Sequence, residues 1–512
     1  MVECACISFF RSLVSYYSYE RKVIRRLTVQ STACVFLWAE CSQSKSKKEM
    51  ITMENKQGLK KNLGLATAMA TVVGCVIGSG VFLKPQAIYT ATGGAPGLGM
   101  LAWIFTGLIC IAAAMTFAEI AIMIPKTGGM VVYLEEAFGK RVGYLAGWMQ
   151  TVLFYPAMIA ALSVAFGQQA ALFVGDSMIV PVAIIAVFIV IILNAAGSSV
   201  GGSAQVIFTI CKLIPLVMLM VFGFIRGSGA NPVFTPMVAD GFSPSVVLGQ
   251  LLIAVLFAFE GWTTVGAIAG EMKNPGKDLP IAIVGGVSII MAIYLVINLA
   301  YLWVMPADQM MDIAVPASAV AIAIFGDVGG KIISVGIMIS VLGSCNGFVL
   351  SGSRVTYYLA TKNLLPGSKY LARLSKTQVP VYAILVVSLL GAVYAISGQF
   401  NMLTNLAVFS SWIFYTLTFM AVIRMRKTQP DRPRSYRVPL YPIIPLIAII
   451  SGIYVIINQL FLSGMTTTLI SFASIILTLI GLPIYSVKSK ENARLEENEK
   501  RASYVTSPLK EG

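Results

Sequence analysis

The chain has 512 residues, of which 57% are hydrophobic, 12% are charged and none is histidine, with a formal net charge of +15. Soluble domains carry about 25% charged residues, so this chain cannot solvate a water-facing surface of its own. The lack of imidazole excludes histidine-built zinc or iron centres, Ser-His-Asp hydrolysis and histidine proton relays.

Residues 1–62 read as a cytoplasmic tail. Arg11, Glu20, Arg21 and Lys22 break any signal-like apolar run. Met53 directly precedes the polar run ENKQGLKKNLG, which makes residues 1–52 a candidate over-extended start.

Twelve apolar segments follow within 63–487, at 63–90, 97–124, 142–173, 178–197, 203–225, 246–270, 280–304, 330–358, 379–397, 402–423, 439–461 and 466–487. Crossing a bilayer as a helix takes roughly 20 apolar residues, and the stretches 142–175, 177–211, 378–423 and 438–487 hold no charge at all. The fold class expected is an all-α polytopic membrane protein with twelve transmembrane helices and a lipid bilayer as its solvent. Residues 488–512 read as a second cytoplasmic tail.

Basic residues collect in cytoplasmic loops. With both termini on that side, all but four of the 37 Lys and Arg fall there; Lys84, Arg226 and Lys331 lie outside and Lys212 lies within a span. The net charge therefore marks orientation rather than a nucleic-acid partner. The eight cysteines form no CxxC pair, and Cys75, Cys110, Cys211 and Cys345 lie inside apolar stretches, so no metal site or cofactor is expected.

Two spans are interrupted. In the first, GLATAMATVVGCVIGSGVFLKP, Gly74 and Gly78 at four-residue spacing suit close helix packing equally well, but the adjoining Ser79-Gly80 favours a broken helix. In the sixth, LFAFEGWTTVGAIAGEMKNPGKDLP, Glu260 and Gly261 sit near mid-span, where an ionisable side chain is costly unless it meets water or a partner. Breaks in the first and sixth spans mark a transporter built from two inverted five-helix repeats, with Gly78 and Gly261 as hinges. The N–H groups of Ser79, Gly80 and Val81 lack intrahelical acceptors and suit a carboxylate. Carbonyls near Val76 and Phe257 suit an ammonium group, so a small zwitterion fits both. Lys212, about 14 Å into its span at 1.5 Å per residue, lies too deep to snorkel; packing against carbonyls alone is the competing reading.

GCVIGSGVF at 74–82, AEIAIMIPKTGG at 118–129, FAFEGW at 257–262, GEMKNPGKDLP at 270–280 and YRVPLYPIIP at 436–445 resemble the amino acid-polyamine-organocation superfamily, in particular the L-type amino acid transporter branch and bacterial serine/threonine exchangers. The resemblance spans roughly 58–488. It implies a LeuT-like five-plus-five repeat, with backbone N–H groups of Ser79 and Gly80 on the substrate carboxylate and carbonyls of Val76 and Phe257 on its amine. It implies Phe257 as outer gate, Ser411 and Tyr155 lining the side-chain pocket, and Lys212 standing where sodium-coupled relatives hold a cation. Sodium-independent exchange of neutral, serine- or threonine-like amino acids across the plasma membrane follows, not catalysis. Glu260 sets pocket polarity, carries a proton or pairs with a basic group. Glu119 reads as structural, Trp262 as packing, and Arg354, Lys362 and the bases of 424–437 as topology signals. Animal relatives attach an accessory chain through an outer-loop cysteine, and none lies in the outer loops here, so no disulfide-linked subunit is expected. A proton-coupled amino acid or polyamine importer of the same fold and a non-transporting amino acid sensor remain as alternatives.

Overall fold

In an apolar surrounding every backbone polar group must find its partner within the chain, which favours helices over open sheets. The computed structural model describes residues 63–505 apart from 127 and 230, and these are all-helical, with no β-strand. The tail 1–62 lies outside the described residues. The bundle is a unit ending at Asn492; residues from Ala493 belong to a separate unit, helical as far as Val505.

Eleven helices among the described residues are long and apolar enough to cross a membrane. In chain order the helices are α1a (Leu65–Val76) and α1b (Gly80–Thr92), α2 (Gly97–Met123), α3 (Lys140–Val174), α4 (Ile179–Ala195) and α5 (Ser198–Arg226). Then come α6a (Pro244–Ala258), α6b (Trp262–Glu271, in 3-10 geometry), α7 (Gly286–Val304), α8 (Pro316–Thr361, bent at Gly326), α9 (Val381–Ala395), α10 (Phe400–Thr428), α11 (Ile443–Ile457) and α12 (Met465–Leu479). The expected span 379–397 corresponds to α9, which has 15 residues and reaches only about 22 Å at 1.5 Å per residue. Pro380 precedes it and the turn at Gly398 follows it, and together they curtail it.

The helices are sorted inside out relative to a soluble protein. Along α5, Ile207, Ile210, Ile214, Val217 and Val221 are exposed, while Gln205, Thr209, Lys212, Leu216 and Leu219 are buried. Both sets recur at alternating three- and four-residue steps, one stripe for lipid and one for the bundle interior.

The two broken helices lie against each other in crossed fashion, α1a beside α6b and α1b beside α6a. At one end Leu63 donates its N–H to Glu271 O at 3.0 Å and accepts from Lys273 N–H at 2.8 Å, pinning the start of α1a to the end of α6b. At the breaks the chains approach so closely that a Cβ on Gly80 would stand 2.5 Å from Ala258 Cα. Gly261 turns the chain with φ 121°, a conformation that disfavours any side chain.

Ion pairs cluster at the end bearing the basic loops. Glu119, fully buried in α2, accepts from Arg426 Nε at 2.7 Å and Nη2 at 2.6 Å and from the Val438 N–H at 2.8 Å. Arg354 pairs with Glu271 at 3.4 Å and Arg432 with Glu136 at 2.6 Å. The two partners of Glu136, Arg432 and Lys126, outweigh its partial burial and hold its carboxyl below the usual range. Arg354, Arg426 and Arg432 thus knit helices and loops together in addition to biasing orientation, and Glu119 is structural as expected.

Gly80→Ala should lower the thermal unfolding midpoint of the purified protein, because overpacking costs about 1–3 kcal/mol. Gly285→Ala, whose added Cβ meets nothing within 4 Å, should leave it unchanged; equal midpoints for the two variants would contradict this packing.

Candidate functional site

The first break begins where α1a stops at Val76 and the chain runs through Ile77 (φ −74°, ψ 88°), Gly78 and Ser79. Helix carbonyls that lose their i+4 donors here have no water to turn to. Lys212 meets two of them: its Nζ donates to Gly74 O and to Ile77 O, each at 2.6 Å, and to Ser344 Oγ of α8 at 2.9 Å. Ser344 Oγ stands within 2.8 and 3.0 Å of the same two carbonyls. The ammonium is fully buried, and its three N–H groups have three neutral acceptors. Lys212 thus ties α5 and α8 to the unwound part of α1.

On the other side of the break the balance reverses. Phe82 and Leu83 donate to Ser79 O at 3.1 and 2.9 Å, whereas the N–H groups of Ser79, Gly80 and Val81 have no acceptor among the described residues. Ser79 is 1% exposed and its hydroxyl has no partner among the described residues. Buried donors left unpaired cost about 1–3 kcal/mol each, so this point calls for an acceptor from outside the protein, and a carboxylate supplies one.

The second break faces it. Glu260, 2% exposed, accepts from Tyr415 Oη at 2.6 Å on Oε1 and from Ser411 Oγ at 3.3 Å on Oε2. Tyr415 also shares a hydrogen bond of 2.8 Å with Thr263 Oγ1 of α6b. Tyr294 of α7 places its hydroxyl 3.0 Å from Val76 O and 2.8 Å from Ala258 O, spanning both breaks. Phe257 O accepts the Glu260 N–H at 3.0 Å. Each carbonyl expected to receive an amine, on Val76 and on Phe257, therefore has one neighbouring donor and one further lone pair.

Across the breaks Gly80 stands against Ala258 and Gly261 against Cys75, Tyr294 joins Val76 to Ala258 and Ser411 holds Glu260, whereas Gly78 lies against Ser344 and Leu162. Tyr155 stands one ring further out, 6.4 Å from Phe348, whose ring a Cβ at Gly261 would approach at 3.2 Å. Phe257 packs edge to face on Phe400 at 5.5 Å. Trp262 is buried against Phe117 and Tyr415.

Three residues at the site, and a fourth beside it, escape the sequence reading. Tyr415 follows Ser411 by four positions, hence on the same helix face, and that spacing could have exposed it. Tyr294 and Ser344 carry no such signal. Lys84, read as an outside charge, lies within α1b and is 2% exposed.

The family described as amino acid permease matches residues 63–486. The serine/threonine exchanger SteT of Bacillus subtilis is 38% identical over 440 residues, covering 85% of this chain and 98% of that protein. The b(0,+)-type amino acid transporter 1 of Homo sapiens is 29% identical, covering 78% and 82%. The cystine/glutamate transporter of Homo sapiens is 26% identical, covering 84% and 86%.

Lys212→Met removes the ammonium from the freed carbonyls of Gly74 and Ile77, where hydrogen bonds to a charged group contribute about 1.5–3 kcal/mol each. Cys75, 2% exposed one residue before the end of α1a, should then react faster with a membrane-permeant maleimide, scored by peptide mass. Unchanged labelling would show that Lys212 does not hold the break.

Proposed function

The chain belongs to the amino acid permease family, and from that premise we propose that it exchanges neutral L-amino acids with small polar side chains, serine and threonine first, across the plasma membrane without sodium. The observation that carries this reading is the unpartnered donor set of Ser79, Gly80 and Val81, including the buried Ser79 hydroxyl, opposite the free lone pairs of Val76 and Phe257. A free amino acid satisfies both with its carboxylate and its ammonium group. Ser411 and Glu260 border the side-chain pocket, with Tyr155 behind them.

Sodium independence rests on Lys212. Its ammonium occupies the Gly74 and Ile77 carbonyls, oxygen ligands of the kind a hard cation requires. The crossed packing of α1a with α6b and α1b with α6a supports a five-plus-five inverted repeat, with α9 counted as a span and α11 and α12 appended for a total of twelve. With both termini cytoplasmic, the ion-paired basic end faces the cytosol and Phe257 closes the outer side. The described cysteines lie within helices, which favours an assembly without a disulfide-linked accessory chain.

The second reading is a proton-coupled importer of amino acids or polyamines. It draws on Glu260, a buried carboxylate held by hydroxyls and joined to no cation among the described residues. A non-transporting sensor would keep the site and lose the flux.

In proteoliposomes, labelled serine uptake should require internal amino acid and proceed equally in sodium and choline media. Glu260→Gln should retain exchange, and Lys212→Ala should lower its rate about tenfold or more, equivalent to ~1.4 kcal/mol. Uptake into empty vesicles driven by a proton gradient and abolished by Glu260→Gln would overturn exchange in favour of proton coupling; normal affinity and rate in Lys212→Ala would overturn the role of the lysine.

A further inference from the structure

Lys84 presents a cation that the exchange reading leaves unused. It lies one turn into α1b, and its ammonium donates to Asn401 Oδ1 at 3.0 Å and Thr404 Oγ1 at 2.9 Å, both on α10. It stands 5.0 Å from the ring centroids of Phe257 and of Phe400. Cation–π contacts contribute about 0.5–2 kcal/mol each, whereas the penalty for burying an ion is several kcal/mol. Two neutral hydrogen bonds and two rings are modest compensation, and no carboxylate pairs with Lys84 among the described residues.

The same side chain lines a cavity of about 220 Å³ at the bundle end away from the basic loops, together with Gln250, Asn401, Asn405 and Gln459. None of the described residues that line it is acidic. Gln459 is an independent sign that the cavity is built to hold something. It is 1% exposed, and neither its amide oxygen nor its amide nitrogen has a partner among the described residues. It sits in a π-helical turn, Asn458–Leu462, that follows α11; such wide turns recur at functional positions. An unpaired cation and an unpaired amide thus border one polar space.

We propose that this cavity is a second ligand site, which takes a small carboxylate-bearing solute with Lys84 as counter-charge and Gln459 as hydrogen-bond partner. The placement rests on the exchange reading only in that Phe257, packed on Phe400, is the layer between this cavity and the substrate site. The carboxylate supplies the acceptor that the ammonium and the Gln459 N–H lack. The neighbouring amide oxygens of Asn401, Asn405 and Gln250 tolerate an ammonium or hydroxyl on the remainder of the molecule, which suits a free amino acid in transit better than an inorganic anion.

Thermal unfolding of the purified full chain in detergent tests this with N-acetylglycine, a carboxylate whose amine is blocked, against uncharged N-acetylglycinamide and against chloride. Saturating N-acetylglycine should raise the unfolding midpoint by roughly 2 °C or more, and the amide and chloride should not. The shift should vanish in Gln459→Leu, which leaves the ammonium and both rings in place, and in Lys84→Met. No shift in the unmodified chain, an equal shift with chloride or the amide, or a shift that persists in Gln459→Leu would overturn the proposal, the last by assigning the carboxylate to the Ser79–Val81 donors. The experiment involves no flux, so absence of serine exchange would defeat the exchange reading while leaving this outcome interpretable.

Discussion

A helix interrupted inside an apolar slab leaves backbone groups that no water reaches, each at a cost of several kcal/mol. The arrangement around the first break is organised by that constraint. On the carbonyl side the protein supplies its own partners: Lys212 and Ser344 for Gly74 and Ile77, and Tyr294 for Val76. On the N–H side the described residues supply none, and they leave the Ser79 hydroxyl equally bare. The site is therefore half-satisfied by design of the fold, and the missing half has the chemistry of a carboxylate. Once the break is held open in this way, α6 must approach it with small residues, and Gly80 against Ala258 is that approach.

The two ends of the bundle are closed by different physics. At the basic end Glu119 of α2, Glu136 of the short helix Met130–Phe138 and Glu271 of α6b pair with arginines of α10, the loop after it and α8 respectively. Exposed ion pairs contribute about 0–1 kcal/mol, but Glu119 is fully buried and bound in bidentate fashion, which fixes its geometry far more tightly. At the other end Phe257 and Phe400 pack edge to face with the Lys84 ammonium 5.0 Å from both ring centroids, which is the closure that the proposed exchange would use. A closure made of rings yields to a side-chain rotation, whereas the ionic one yields only when whole helices move apart. Rocking of paired helices about a fixed midplane site accommodates both.

Much of this was legible in the residues. Eleven of the twelve expected spans, the end of the bundle at which base collects, and the breaks at 77–79 and 259–261 follow from apolar run length, charge placement and glycine, because each is a local property of the chain. Lys212 stood out for the same reason: a charge too deep to reach water needs a partner. What stayed hidden depends on which helices meet. Tyr294 gains its role only because α7 lies beside both breaks, and Ser344 only because α8 faces Lys212. The arginines of 424–437 were read as topology signals, since nothing local shows that Glu119, some 300 positions away, lies buried beside them. Lys84 was read only as a charge outside the cytoplasmic loops, because nothing local shows that α1b buries it beside Asn401 and Thr404 of α10.

The claim on which the account depends is that the two breaks together recognise a zwitterion, carboxylate at Ser79–Val81 and ammonium at Val76 and Phe257. Proteoliposomes loaded in turn with L-serine, N-acetyl-L-serine, L-serine methyl ester or serinol, and assayed for labelled serine entry, test this directly. Only the free amino acid should drive entry. Equal stimulation by the N-acetyl compound or by the methyl ester would show that one of the two charges is not read, and would contradict the account.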